Sequence, residues 1–73
     1  MDSAGKALAE LRRGAGYTQK SAAAALGVSV FTIHKWESGG RSPSKRNLKK
    51  LLDAYKVNGE AKNAVVMAVT VAA

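Results

Sequence analysis

The chain has 73 residues, twelve lysines and arginines against five aspartates and glutamates, a formal net charge of +7 and no cysteine. A chain of this length buries only about 60–65% of the surface its unfolded form exposes, which allows one small domain and excludes a roomy substrate cleft. The lack of thiols excludes a disulfide framework and a thiolate metal site and suits a reducing compartment, while the charge points to a polyanionic partner, nucleic acid or an anionic membrane face.

At the N-terminus, Met1 to Glu10 carries acids and an apolar run too broken for the h-region of a signal peptide. The spacing predicts a first helix from about Ser3 to Arg13, with Ser3 as N-cap and Ala4, Leu8 and Leu11 on one face, ended by Gly14 and Gly16. Thr18 caps a second helix over Gln19 to Leu26, where the run Ala22 to Ala25 has the highest helix propensity available, and Gly27 stops it. Ser29 caps a third through about Ser38, with Gly39 and Gly40 as C-cap residues. Pro43 and Ser44 open a fourth, in which Leu48, Leu51, Leu52 and Tyr55 form an apolar face interleaved with Lys45, Arg46, Lys49 and Lys50. Asn58 caps a fifth from Gly59 to about Ala68, which runs into a valine-rich end, Val65, Val66, Val69 and Val71. The apolar stretch Ala64 to Ala73 has about half the roughly 20 residues a bilayer span requires, so no transmembrane helix and a cytoplasmic location are expected. Periodicity is helical throughout, and residues 1–73 read as a single all-α domain with a valine-rich C-terminal helix and tail over 59–73.

The second and third helices stand at an informative spacing. Counting Gln19 as position one, Ala23 falls at five, Gly27 at nine, Ile33 at fifteen and Trp36 at eighteen, with apolar Ala22, Leu26 and Val28 at four, eight and ten. Where two helices cross at about 90–120° through a turn of 3–4 residues, the crossing needs a small side chain, here Ala23, and the turn favours a residue that tolerates positive φ, here Gly27. Ile33 and Trp36 then reach the core, giving a helix-turn-helix over about 18–38.

The stretch LRRGAGYTQKSAAAALGVSVFTIHKWESGGRSPSKRNLKKLLDAYKV, Leu11 to Val57, covers about two-thirds of the chain and resembles the phage repressor and Cro class of helix-turn-helix proteins, the XRE family. Its motifs are Leu-Arg before the first turn, Thr-Gln opening the second helix, Leu-Gly-Val-Ser between the helices, Ile-x-x-Trp-Glu in the third, and Pro43 six residues after Glu37. The resemblance implies a five-helix, lambda-repressor-like fold that binds operator DNA in the major groove with its third helix, commonly as a dimer. It also implies that Arg12 and Glu37 form an ion pair tying the first helix to the end of the third.

In that docking mode residues near the start of the third helix make the base contacts. With Ile33 and Trp36 turned inward, the expected base-contacting set is Ser29, Val30, Phe31 and Lys35. Lys35 can donate to guanine O6 and N7, whereas Val30 and Phe31 can only press on thymine methyl groups. Phe31 has a second reading, in which it folds back over the small space left by Ala22. The expected phosphate contacts start with Thr18, Gln19 and Lys20 at the positive end of the second helix, where free N–H groups hold anions. They continue with His34 at the groove edge and Ser38, Gly39 and Arg41 in the loop after the third helix. Lys45 and Arg46 complete the set: they occupy the first turn of a helix, where the macrodipole disfavours cations by a few tenths to about 1 kcal/mol, a cost that a phosphate would offset.

Catalytic signatures are missing. Gly14-Ala15-Gly16 lacks the third glycine and preceding strand of a dinucleotide motif, there is no Gly-Lys-Ser/Thr phosphate loop, and the five acids are scattered. His34 has no companions at metal-ligand spacing. The expectation is a non-enzymatic, sequence-specific binder of double-stranded DNA, repressor-like, without cofactor, metal, membrane or small-molecule substrate. It would read a roughly palindromic operator as a homodimer through the fifth helix and tail, Val65 to Val71. The alternative is a protein-interaction module on the same fold, an antitoxin or coactivator-type adaptor.

Overall fold

The computed structural model describes residues 3–72 and, of these, the side chains of all but positions 3, 61 and 70–72. The helices are α1 (Ser3–Gly14), α2 (Gln19–Leu26), α3 (Val30–Ser38), α4 (Lys45–Ala54) and α5 (Gly59–Ala72), and no strand occurs among the described residues. The expected all-α architecture is therefore present. No helix among the described residues is long and apolar enough to cross a membrane.

Local chemistry explains where the helices begin. Thr18 Oγ1 accepts from the Ser21 backbone N–H at 3.0 Å while Ser21 Oγ accepts from the Thr18 N–H at 2.9 Å, a reciprocal box that satisfies two donors the helix cannot. Ser29 and Ser44 do half as much, accepting from Thr32 N–H at 3.1 Å and Asn47 N–H at 3.2 Å. Ser3 is already helical at the start of α1, and its expected capping side chain lies outside the described ones.

Three helices stop by the same backbone device. Tyr17 N–H reaches Arg12 C=O at 3.1 Å, Val28 N–H reaches Ala23 C=O at 3.0 Å, and Val57 N–H reaches Leu52 C=O at 2.9 Å. Each closure needs the residue before the donor in the left-handed region. Gly27, at φ +70°, meets this without strain and sets the angle between α2 and α3. At the end of α4 the same position is Lys56, at φ +57°, which carries a steric penalty glycine lacks.

The core is built from one face of each helix. Leu8, Ala22, Ala23, Leu26, Ile33, Trp36, Leu48, Leu51, Leu52 and Tyr55 are buried together, joined by Val57, Val65 and Val69. Here the structure departs from two expectations. Helix α5 continues to Ala72 rather than ending near Ala68, because Val65 and Val69, one helical turn apart, both face inward and α5 packs along α1, which outweighs the weak helix preference of valine. The same packing corrects the surface assigned to self-association: Val65 and Val69 are 6% and 4% exposed and belong to the monomer's own core. The side chain of Val71 lies outside the described ones.

One close approach between helices was not foreseen from the pattern. A Cβ at Gly5 would collide with the carbonyl oxygen of Glu37 and stand 3.0 Å from that of Trp36, so α1 and α3 meet backbone to backbone. Only glycine fits at that crossing. Gly5→Ala is expected to destabilise the fold by about 1–3 kcal/mol through overpacking, even though alanine is the better helix former by about 1 kcal/mol. Lys56→Gly should do the opposite and raise stability by about 1 kcal/mol. Both are read from denaturant-unfolding midpoints; an unchanged midpoint for Gly5→Ala would contradict the crossing described here.

Candidate nucleic-acid interface

Ile33 and Trp36 anchor α3 by its inner face, at 1% and 4% exposure. The opposite face is then necessarily presented outward: Val30 and Phe31 are 48% and 63% exposed, His34 and Ser38 are exposed, and Lys35 is half-buried. Phe31 does not fold back over Ala22, which is fully buried without it, so the second reading of Phe31 falls away. Instead the Lys35 ammonium lies 5.5 Å from the centre of the Phe31 ring. The Ser29 hydroxyl is engaged locally, capping α3 and lying 2.9 Å from Thr32 Oγ1.

What orients α3 is a buried polar cluster beneath its C-terminal half. Arg12 Nε donates to Glu37 Oε2 at 2.7 Å and a terminal guanidinium nitrogen donates to Oε1 at 3.0 Å, a two-point contact with both side chains 8% exposed. The other terminal nitrogen of Arg12 donates to the Tyr17 carbonyl at 2.9 Å. Gln19 Nε2 donates to the same Glu37 Oε1 at 3.1 Å. Glu37 thus joins α1, the α1–α2 turn, α2 and α3, and the Gln19 amide, expected to hold a phosphate, is turned inward by this bond. The Arg12 pKa is raised above its ordinary value, chiefly by the hydrogen bond to Glu37, with desolvation opposing. Such a pair contributes little net stability because burying both charges offsets their attraction, but losing one partner strands the other.

Tyr55, the C-cap residue of α4, closes the cluster, its ring centre 5.7 Å from that of Tyr17 at 44°. Burial, with further contributions from Glu37 and Tyr17, pushes its phenol up to about 12. The amphipathic pattern marks Tyr55 as core without revealing that it seals charged groups.

The remaining expected site residues are exposed, although the Thr18 N–H, the Ser38 hydroxyl and the Arg41 N–H are already bonded within the chain. Thr18 and Lys20 stand in and before the first turn of α2. After α3, Gly39 turns left-handed at φ +86°, Ser38 Oγ donates to the Lys35 carbonyl at 3.3 Å, and the Arg41 N–H donates to that same carbonyl at 3.3 Å, leaving the Arg41 side chain exposed. Lys45 and Arg46 are exposed in the first turn of α4, which holds no acidic residue. Two further cations border this face. Lys6 and Arg13 join His34, Gln19 and Ser38 around a depression of about 350 Å³ beside α3, and their i, i+7 spacing on α1 was the available signal.

The raised phenol gives a pH dependence. Because Tyr55 keeps its proton longer when folded, its contribution is intact below pH 10 and is lost as pH rises from 10 through about 12, where only the unfolded chain gains from ionising. Tyr55→Phe should therefore hold its melting temperature better than the parent over that window and parallel it below; curves that stay parallel above pH 10 would contradict the burial.

A family profile described as Helix-turn-helix matches residues 8–61, about three-quarters of the chain and all of α2, α3 and α4. Searches of curated proteins and of solved structures return no match. With five helices among the described residues, a glycine turn between α2 and α3 and an anchored third helix facing outward, the chain belongs to the phage repressor and Cro (XRE-type) family of DNA-binding helix-turn-helix proteins.

Proposed function

We propose that this protein is a repressor-like transcriptional regulator that occupies a specific DNA operator by laying α3 in the major groove. The observation that carries the reading is the anchoring of α3: Ile33, Trp36 and the Glu37 cluster fix the helix, so Val30 and Phe31 face outward in its first turn, the end where this motif contacts bases, and half-buried Lys35 extends that face one turn further along. Ser29 contributes from the cap. Thr18, Lys20, His34, Ser38, Gly39, Arg41, Lys45 and Arg46 hold the sugar-phosphate backbone, Gln19 through its main-chain N–H, and Lys6 and Arg13 extend the same belt along α1.

Two copies reading a roughly palindromic site would place their third helices in successive major grooves about 34–36 Å apart. The outer side of α5 supports self-association: Met67 is 66% exposed and is flanked by half-buried Val66 and Ala68. This face replaces the inward valines as the candidate dimer surface. Such a protein works in the compartment that holds the chromosome and needs no cofactor.

Binding through about six phosphates per monomer predicts a log–log salt slope of about −5 per monomer. Arg41→Ala and Lys45→Ala should each weaken specific and non-specific DNA alike and make the slope shallower by about 0.9. Lys35→Ala should leave the slope nearly unchanged and lose about 1–3 kcal/mol of discrimination at one base pair. Fluorescence anisotropy on a site selected from random oligonucleotides reads all three. Weak, sequence-blind binding with no selected site would favour the adaptor reading instead.

A further inference from the structure

Lys35 and Phe31, one helical turn apart on α3, share a geometry that neither residue has alone. The ammonium sits 5.5 Å from the ring centre, within range of the negative face of the π-system. On its other flank the lysine stem rests against Gly40: a Cβ there would come 3.0 Å from Lys35 Cδ and 3.4 Å from Nζ. Gly40 does not take the left-handed conformation, so what a side chain there would change is the space beside Lys35, whose stem would have to shift by a few tenths of an ångström. Among the described residues the one ion pair is Arg12–Glu37, which leaves the Lys35 charge without a carboxylate partner. A lysine is ordinarily a flexible point charge. Here it is held between a ring and a backbone, with its donors unspent.

We propose that Phe31 and Lys35 act as one reading unit for a thymine and a guanine on neighbouring base pairs, with Gly40 as the positioning residue that keeps Lys35 in place. The inference rests on the DNA-binding reading above and specifies the chemistry of that site. The ring supplies an apolar surface for the thymine 5-methyl group, and the ammonium donates to guanine O6 and N7. Base pairs on one strand rise by about 3.4 Å, so a ring and an ammonium 5.5 Å apart are matched to adjacent pairs, with the remainder taken up as lateral offset. Because the ammonium lies within cation–π range of the ring, the contacts are coupled: removing the ring frees the lysine and weakens the guanine contact as well.

The test uses the full chain and its selected site. A thymine–guanine neighbour is expected in each half-site. Replacing that thymine by uracil, which removes only the methyl group, should lower affinity about fourfold, the value of one buried methyl. Replacing the guanine by 7-deazaguanine should lower it by about tenfold. In Phe31→Ala the uracil effect should vanish and the 7-deazaguanine effect shrink. In Gly40→Ala the 7-deazaguanine effect should shrink while the uracil effect and the salt slope persist, a separation that a merely structural role for Gly40 would not produce. Tight, salt-dependent binding to a site with no thymine–guanine neighbour, or indifference to both analogues, overturns the reading unit while leaving DNA binding intact. Failure to bind any DNA at low salt overturns both.

Discussion

The contact between α1 and the C-terminal half of α3 is the constraint on which the rest of the molecule depends. It has two parts at one place. Gly5 lets the backbones touch at the Trp36 and Glu37 carbonyls, and Arg12, two turns further along α1, grips the Glu37 carboxylate with two hydrogen bonds. Sterics sets the distance between the helices and charge sets their register. Because Glu37 also accepts from Gln19, the orientation of α2 is tied to the same carboxylate. The hydrophobic effect supplies most of the driving force through Ile33, Leu51 and their neighbours, but it is non-directional. Directionality comes from the seam.

That arrangement separates a uniform positive charge into unlike roles. Arg12 is internal and paired with Glu37. Lys35 is half-buried, held against Phe31 and Gly40, and turned toward the surface that α3 presents. Lys6, Arg13, Lys20, Arg41, Lys45 and Arg46 are exposed and remain free to meet a screened, diffuse partner such as a phosphate backbone. In the proposed reading, a small domain of this kind would obtain specificity from one anchored helix and affinity from charge spread around it.

The helices and their limits were largely legible because capping and termination are local. Thr18, Ser29 and Ser44 sit where their hydroxyls meet N–H groups three residues on, and Gly27 occupies the one conformation its turn demands. Legibility failed where distance in sequence mattered. Gly5 reads as an ordinary weak point in a helix until Glu37 is placed against it. Val65 and Val69 read as surplus apolar surface until α1 is laid alongside. Gln19 reads as a free amide at a helix start until Glu37 turns it inward.

By itself, then, the sequence determined the number and kind of elements, the helix-turn-helix spacing and the residues available to meet DNA, since each depends on periods and turns a few residues long. Only the tertiary structure decided which of those residues are free. Gln19 and the valines of α5 are occupied by partners distant in sequence, while Phe31 is left in solvent and Ala22 is fully buried. The physical reason is that burial and pairing are properties of neighbours in space, and no local pattern records which distant carboxylate or helix will arrive.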